Sequence, residues 1–370
     1  MQKPSFLTAQ EIVIWDKVEA GEPLTDEEAL FLYHSRNLGL LGILATIVRE
    51  RLHGKIAYYN RNFHIEPTNI CIYECAFCSF ARKPGEPGGW EYTPDEIESI
   101  AASYVGKGVT EVHIVGGVHP KRGIEYYADI IRRIKRILPG IHVKAFTAVE
   151  LKVMCARSRM SYREGLSALK EAGLDSLPGG GAEIFHPEIR QQICATKAST
   201  EEWLEIHRTA HELGIPSNAT MLYGHIEKYE HRIHHMRLLR ELQAQTGGFN
   251  CFIPLKYRKE NNALSYVGEV SIIEDLKNYA VSRLYLHNIP HLKAYWPMIG
   301  RHTAQISLSF GVDDLDGTID DTTKIYSMAG AEEQHPVMTT QELEELIRSA
   351  GYVPQERDSL YRPIHTATVS

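Results

Sequence analysis

Three cysteines lie close enough in sequence to bind one metal centre. Cys71, Cys75 and Cys78 follow a C-x3-C-x2-C spacing, with an aromatic residue, Phe77, before the last of them. Three thiolates spaced in this way can each bind one iron of a [4Fe-4S] cluster, which leaves the fourth iron open to a small molecule. The alternative is a closed zinc site, but that needs four ligands, commonly paired C-x2-C units, which this segment lacks.

The composition is that of an ordinary globular chain. Its 370 residues, 43% hydrophobic and 24% charged, are enough to bury one large core. The formal net charge of −7 and the absence of a basic run argue against a nucleic-acid partner. We expect no membrane partner and no signal peptide, because no apolar run approaches the length of a spanning helix. Clustered cysteines fit a reducing compartment, so the expected location is cytoplasmic.

Short apolar runs alternate with amphipathic stretches from Asn62 onward, which predicts strand–helix units and a parallel sheet. Eight such strands would close an α/β fold of the (β/α)8 TIM-barrel type. A doubly wound open sheet is the alternative, but the first strand–helix turn has no G-x-G-x-x-G. The predicted strands are Phe63–Pro67, Glu111–Val115, His142–Phe146, Ser176–Leu177, Asn218–Leu222, Asn250–Leu255, His291–Tyr295 and Gln305–Phe310.

Three parts of the chain are predicted. Residues 1–58 have helical patterns and form an N-terminal helical extension, and residues 59–318 form the barrel. Residues 319–370 form a short C-terminal tail that packs on the barrel and contains one helix, Thr340–Ala350.

Several motifs end predicted strands, where a barrel places its chemistry. Gly116-Gly117 is either a tight turn or a place where main-chain carbonyls approach a ligand's ammonium group. Glu183, after three glycines, is either a surface acid or an acceptor for ribose hydroxyls. Arg190, in the following helix, can bind a carboxylate in a bidentate manner.

Later strand ends carry cations and histidines. Lys256 and Arg258 belong either to a solvated loop or to a grip on substrate carboxylates. His225 follows the fifth strand and is therefore placed near the chemistry. A solvated helix face is predicted for three histidines that lack an H-E-x-x-H pattern: His231, His234 and His235. Small buried side chains without a role are predicted for three cysteines: Cys155, Cys194 and Cys251.

Taken together, these motifs resemble one branch of the radical S-adenosylmethionine (SAM) superfamily. The branch contains aminodeoxyfutalosine synthase, dehypoxanthine futalosine cyclase and the deazaflavin (FO) synthase subunits. The run from Phe252 to Asn262 is most similar to that of the first of these. The resemblance extends from Asn62 to Thr318 and includes His64-Ile-Glu-Pro-Thr-Asn-Ile-Cys71, Gly116-Gly-Val-His119, Pro178-Gly-Gly-Gly-Ala-Glu183, Met221-Leu-Tyr-Gly-His225 and Phe310-Gly-Val-Asp-Asp314.

The resemblance implies a set of cofactor contacts. SAM would chelate the open iron of the cluster through its amino and carboxylate groups. Phe77, fixed between two cluster ligands, would stack on the adenine, and Glu183 would accept hydrogen bonds from the ribose. The carbonyls of Gly116 and Gly117 would contact the methionine amine, and Arg190 would bind the carboxylate.

The resemblance also implies a substrate and a reaction. The 5′-deoxyadenosyl radical from SAM would add to 3-[(1-carboxyvinyl)oxy]benzoate, an aromatic dicarboxylate. Migration of the aryl group and loss of bicarbonate would give 6-amino-6-deoxyfutalosine, on the futalosine route to menaquinone. Electrons would come from a reductant such as flavodoxin or ferredoxin. The residues expected on the substrate side are Asn69, His225, Lys256, Arg258 and Asp314.

Two alternatives remain open at this point. The chain can instead be a hydrogen-abstracting relative, either the cyclase or an FO synthase subunit. An iron–sulfur electron-transfer protein is the alternative from another class, but such a protein normally supplies four cysteines for each cubane.

Overall fold

Parallel strands, most of them followed by helices, form the centre of the molecule. The structure is a computed structural model that describes residues 3–5, 7–317, 324–334 and 336–364. The strands are β1 (Ile56–Tyr59), β2 (Asn62–Ile65), β3 (Glu111–Ile114), β4 (His142–Ala145), β5 (Ser217–Tyr223), β6 (Phe249–Lys256), β7 (His291–Leu292) and β8 (Val353–Glu356).

The helices cover the outside of the strands and both ends of the chain. They are α1 (Ala9–Ala20), α2 (Asp26–His34), α3 (Leu38–His53), α4 (Pro94–Ala102), α5 (Ile124–Ile137), α6 (Ala148–Ser158), α7 (Tyr162–Ala172), α8 (Pro187–Cys194), α9 (Thr200–Glu212), α10 (Tyr229–Thr246), α11 (Ile272–Tyr285), α12 (Trp296–Ile299), α13 (Arg301–Ser307) and α14 (Thr340–Ser349).

The strands are joined into a TIM-type barrel, as the sequence predicts. Hydrogen-bonded ladders run in the orders β2-β3-β4, β5-β6-β7 and β1-β8. Parallel bridges from Ser176 to Lys144 and from Leu177 to Ser217 connect β4 with β5, so the fourth predicted strand is present as this short segment. Asp314 forms parallel bridges with Lys293 beside β7 and with Tyr58 in β1.

Local sequence explains where half of the described helices begin. At seven helix starts, a Ser or Thr side chain accepts from the main-chain N–H of a Glu three residues later, and that Glu accepts from the Ser or Thr N–H. This capping box satisfies main-chain donors that the first helical turn leaves without partners.

The prediction of an eighth strand at Gln305–Phe310 is wrong. This segment is the end of α13 followed by a 3-10 turn over Leu308–Phe310. Its alternation of polar and apolar residues is short enough to fit either period, and the buried residues Ala304 and Leu308 lie one helical turn apart. Gly311, with φ of +97°, ends the segment in a left-handed conformation that favours glycine.

Both ends of the chain are attached to the barrel. Arg49 of α3 is fully buried and donates to the main-chain carbonyls of Val312 and Gly54. The tail contributes the strand β8, which sequence reasoning missed, and Arg357 beside it forms an ion pair with Asp314. The division of the chain at residues 58 and 318 stays a prediction, and positions 318–323 lie outside the described residues. Among the described residues, no helix is long and apolar enough to cross a bilayer.

Candidate active site

A cavity of about 280 Å³ lies inside the barrel and extends to the loops after the strands. One set of lining residues, which we call the cofactor side, is next to the cysteines or carries polar groups and glycines: Phe77, Cys78, Gly116, Thr147, Gly181, Glu183 and Lys197. A second set, which we call the apolar wall, is Leu222, Ile253, Leu255, Met298, Ile325 and Tyr326. The cavity therefore offers both polar and apolar contacts to a ligand.

The cysteine loop, residues 71–78, separates this cavity from the surface. Cys78 lines both the cavity and an outer groove, whereas Cys71 and Cys75 line the groove. The loop is held by main-chain hydrogen bonds, from Cys71 N–H to the carbonyl of Arg82 (3.0 Å) and from Ala76 N–H to that of Ile193 (2.8 Å). A metal centre on these thiols would therefore contact the cavity on one side and the groove on the other.

The three thiols lie together along the outer groove, which suits one shared metal centre. Burial raises the pKa of the Cys75 thiol to about 12, against the opposing effect of the Lys197 ammonium. Loading this site with metal therefore releases protons.

Gly116 and Gly117 pack directly on the main chain that precedes the first cysteine. A Cβ on Gly116 would lie 2.7 Å from the carbonyl oxygen of Thr68, and one on Gly117 would lie 2.5 Å from that of Ile70. The N–H of Gly117 donates to Thr68 at 2.6 Å. The pair therefore permits a close approach between two loops, which was the simpler of the two interpretations. Of the two, Gly116 also lines the cavity.

Glu150 binds the turn that contains Gly116, a contact that the sequence does not predict. Its Oε1 accepts from the N–H of Gly116 at 3.2 Å, and its Oε2 accepts from the N–H and hydroxyl of Thr147. Burial raises the pKa of Glu150 to about 7, although these hydrogen bonds oppose the shift. The Thr-x-x-Glu pattern predicts a helix start, but not that its carboxylate also reaches the loop after β3.

Lys197 contacts both Glu183 and Phe77. The Lys197 ammonium forms an ion pair with Glu183 and lies 5.2 Å from the centre of the Phe77 ring. All three line the cofactor side of the cavity. Glu183 adopts a φ of +49°, a left-handed conformation that is uncommon for residues other than glycine. Lys197 lies in an irregular turn, so no periodic pattern in the sequence distinguishes it.

Four other predicted site residues do not line this cavity. Arg190 donates to the main-chain carbonyls of Ala182 (2.6 Å) and Ala198, so its guanidinium is already engaged. Asn69 accepts from Trp90 N–H (2.8 Å) and donates to Gly88 (2.9 Å). These contacts brace the main chain around the site.

His225 and Asp314 also have partners elsewhere. His225 lies 3.2 Å from Glu227, and burial lowers the pKa of its imidazole although Glu227 opposes the shift. Asp314 is fully buried against Arg357, whose charge holds its pKa below the usual range despite desolvation. Asp316, two residues later, lines the cavity instead and lies 3.4 Å from Lys293.

Lys256 and Arg258 do line the cavity, and both are paired. Lys256 Nζ lies 2.7 Å from Asp275 Oδ2. Arg258 donates to the carbonyl of Gly330 at 2.6 Å and lies 3.4 Å from Glu269. Arg258 therefore also fixes residues 325–330, which cover the mouth of the cavity.

The histidine prediction is wrong in one position. His235 is fully buried, and its ring accepts from the N–H of Phe185 (3.2 Å) and bonds the carbonyl of Thr220 (2.9 Å). His231 and His234 are partly exposed. The three histidines lie in α10, which carries so many polar residues that the sequence does not show which of its faces is buried. The remaining cysteines, Cys155, Cys194 and Cys251, are buried as expected.

Known proteins resemble this chain over nearly its whole length. The family profile "Radical SAM superfamily" matches residues 65–239, and "CofH/MqnC C-terminal region" matches residues 246–369. Aminodeoxyfutalosine synthase of Thermus thermophilus is 47% identical over 357 residues, which cover 95% of each chain. Cyclic dehypoxanthine futalosine synthase of Streptomyces coelicolor is 38% identical, covering 94% of this chain and 87% of its own. The 5-amino-6-(D-ribitylamino)uracil–L-tyrosine 4-hydroxyphenyl transferase of Methanothermobacter thermautotrophicus is 39% identical, covering 93% and 95%.

Solved structures agree on the fold. Methylornithine synthase (PylB) superposes with a TM-score of 0.74 at 18% identity, covering 92% of this chain and 97% of its own. The relatives and family profiles bear out the resemblance that the cysteine spacing and strand-end motifs indicate. The chain belongs to the radical SAM superfamily, and it is an enzyme that forms a carbon–carbon bond with a [4Fe-4S] cluster and SAM.

Proposed function

We propose that this enzyme is an aminodeoxyfutalosine synthase, which joins the adenosyl group of SAM to 3-[(1-carboxyvinyl)oxy]benzoate and forms 6-amino-6-deoxyfutalosine. One observation carries the proposal: identity to the Thermus synthase is 47%, against 38% to the cyclase and 39% to the transferase, with similar coverage of this chain. The proposal places the enzyme in menaquinone biosynthesis. The cyclase is the second candidate.

In this proposal, Cys71, Cys75 and Cys78 bind the cluster. When bound, the cluster supplies the electron that cleaves SAM and generates the adenosyl radical. Phe77 and Glu183 lie on the cofactor side of the cavity, where they suit the adenine and the ribose. Gly116 lies beside them and suits the methionine amine. Arg190 does not line the cavity and donates to the main-chain carbonyls of Ala182, Ile184 and Ala198, so we do not retain it as the ligand of the SAM carboxylate.

The apolar wall suits the aromatic ring of the substrate. Ile325 and Tyr326 form part of this wall. The Glu66 carboxylate holds their segment, because it accepts from the N–H groups of Lys324 (3.0 Å) and Ile325 (3.3 Å). Such a cover excludes water, which protects a radical from side reactions. We assign one substrate carboxylate to Lys256 or Arg258, because both residues line the cavity.

Two further parts of the proposal concern the surroundings of the enzyme. A one-electron donor such as flavodoxin or ferredoxin would reach the cluster from the outer groove, which Cys71 and Cys75 line. We also propose a cytoplasmic location, since a low-potential cluster requires a reducing compartment.

Parallel assays with three substrates test the proposal. The reconstituted enzyme, with dithionite and SAM, is given the carboxyvinyloxy benzoate, dehypoxanthine futalosine, or L-tyrosine with the ribitylaminouracil. If mass spectrometry shows that the enzyme converts only the carboxyvinyloxy benzoate, the result supports the synthase. Conversion of dehypoxanthine futalosine instead would establish the cyclase.

Phe77→Ala is expected to weaken SAM binding by roughly tenfold or more, because loss of an aromatic partner removes stacking on the base. The iron content should stay at the wild-type value, since the three thiols are unchanged. Equilibrium SAM binding and iron analysis on the same preparation check both points. Wild-type SAM affinity in this variant would place the adenine elsewhere.

A further inference from the structure

Lys197 lies on the cofactor side of the cavity, next to the cysteine loop. Its side chain is 13% exposed and lines the cavity. Its N–H donates to the carbonyl of Cys194, at the end of α8, at 3.1 Å. The same helix end accepts from the N–H of Ala76, through Ile193, at 2.8 Å. Lys197 is thus attached to the loop that carries the cluster ligands.

The Lys197–Glu183 ion pair brings one cation and one anion next to the cysteine loop. Burial raises the pKa of the Cys75 thiol most strongly, the Lys197 ammonium lowers it, and the Glu183 carboxylate raises it. The same ammonium lies over the face of Phe77, which immediately precedes the third cysteine.

We propose that this ion pair sets the reduction potential of the cluster, with Lys197 stabilising the reduced form and Glu183 opposing it. The inference rests on the proposed ligation by the three cysteines. Reduction adds one negative charge to the cluster, and a buried cation beside it favours that change. Local charge is one of the means by which proteins tune such potentials.

A purely structural role for the pair predicts a different result. If Lys197 only neutralised a buried carboxylate, removal of either partner would damage packing without a fixed effect on the potential. A role in setting the potential instead predicts shifts of opposite sign, because one variant removes a cation and the other removes an anion. Lys152 offers a matched control, because it also forms an ion pair, with Glu202 at 2.7 Å, but on a partly exposed face between α6 and α9.

The test is a redox titration of the reconstituted full-length enzyme without SAM, in which electron paramagnetic resonance measures the reduced cluster at each potential. We expect Lys197→Met to lower the reduced fraction at a fixed potential by about tenfold, which corresponds to about 59 mV for one electron. Glu183→Gln should shift the midpoint upward, and Lys197→Arg should restore it. Lys152→Met should leave it unchanged.

Each outcome decides between the two roles. Shifts of the same sign for Lys197→Met and Glu183→Gln, or no shift in either, overturn the inference. If Lys197→Met assembles no cluster, Glu183→Gln decides alone: an upward shift supports the inference and an unchanged midpoint overturns it. Failure of the wild-type protein to assemble a cluster would instead overturn the cysteine ligation in the proposed function.

Discussion

Replacing Cys71, Cys75 or Cys78 with Ala is expected to abolish activity and remove most of the iron. Each thiolate binds its own iron, so two remaining ligands cannot hold the cubane in place. Iron and sulfide analysis after anaerobic reconstitution, together with visible absorbance, measures the loss. The variants should remain folded, because the three side chains lie at a partly exposed wall and not in the fully buried core.

Three matched variants serve as controls for this prediction. Cys155, Cys194 and Cys251 are buried and away from the C-x3-C-x2-C spacing. Their Ala variants should keep the cluster and the activity, at the cost of a small loss of stability. Loss of the cluster in one of these controls, with retention in a loop variant, would contradict the assignment.

Gly117→Ala is expected to impair cluster assembly although it changes no ligand. Its Cβ would lie 2.5 Å from the carbonyl oxygen of Ile70, and the nearest atoms all belong to the main chain of Asn69 and Ile70, which leaves little room for adjustment. Overpacking of this kind typically costs about 1–3 kcal/mol of folding free energy. Here the strain falls on the segment that leads into Cys71, so iron content and SAM affinity should fall together.

Gly140→Ala is the matched control for Gly117→Ala. A Cβ at Gly140 would have no heavy atom within 4 Å, and the residue does not require a left-handed φ. Its stability and iron content should equal those of the wild type. Equal iron content in both variants would show that the cysteine loop tolerates displacement by the residue after β3.

The sequence predicts most of the barrel because its strands and helices carry strong local signals. Short strand segments such as β5, buried along its whole length, and the Ser/Thr-x-x-Glu helix starts can be identified without a structure. The predictions fail where the sequence pattern is short or where a strand's pairing partner is distant in the sequence. The alternation at Gln305–Phe310 is too brief to set its period, and β8 depends on pairing with β1, almost 300 residues earlier.

Part of the active site is also predictable from motifs, and part is not. Spacing alone identifies the cysteine loop, and strand-end position points to Gly116, Glu183, Lys256 and Arg258, all of which line the cavity. Lys197 was missed because a lysine in an irregular turn has no pattern. Asn69 and His225 follow strands and Asp314 forms parallel bridges, but hydrogen bonds and ion pairs engage their side chains, and none of the three lines the cavity.

The fate of the adenosyl group tests the proposed function most directly. An enzyme that adds the radical to its substrate keeps the adenosyl carbons in the product, whereas a hydrogen-abstracting relative releases them as 5′-deoxyadenosine. With dithionite, adenosyl-labelled SAM and 3-[(1-carboxyvinyl)oxy]benzoate, we expect one major product that carries adenine, ribose and benzoate together with the label. Label found only in 5′-deoxyadenosine, with the benzoate unconsumed, would contradict the synthase assignment and make the cyclase the leading candidate.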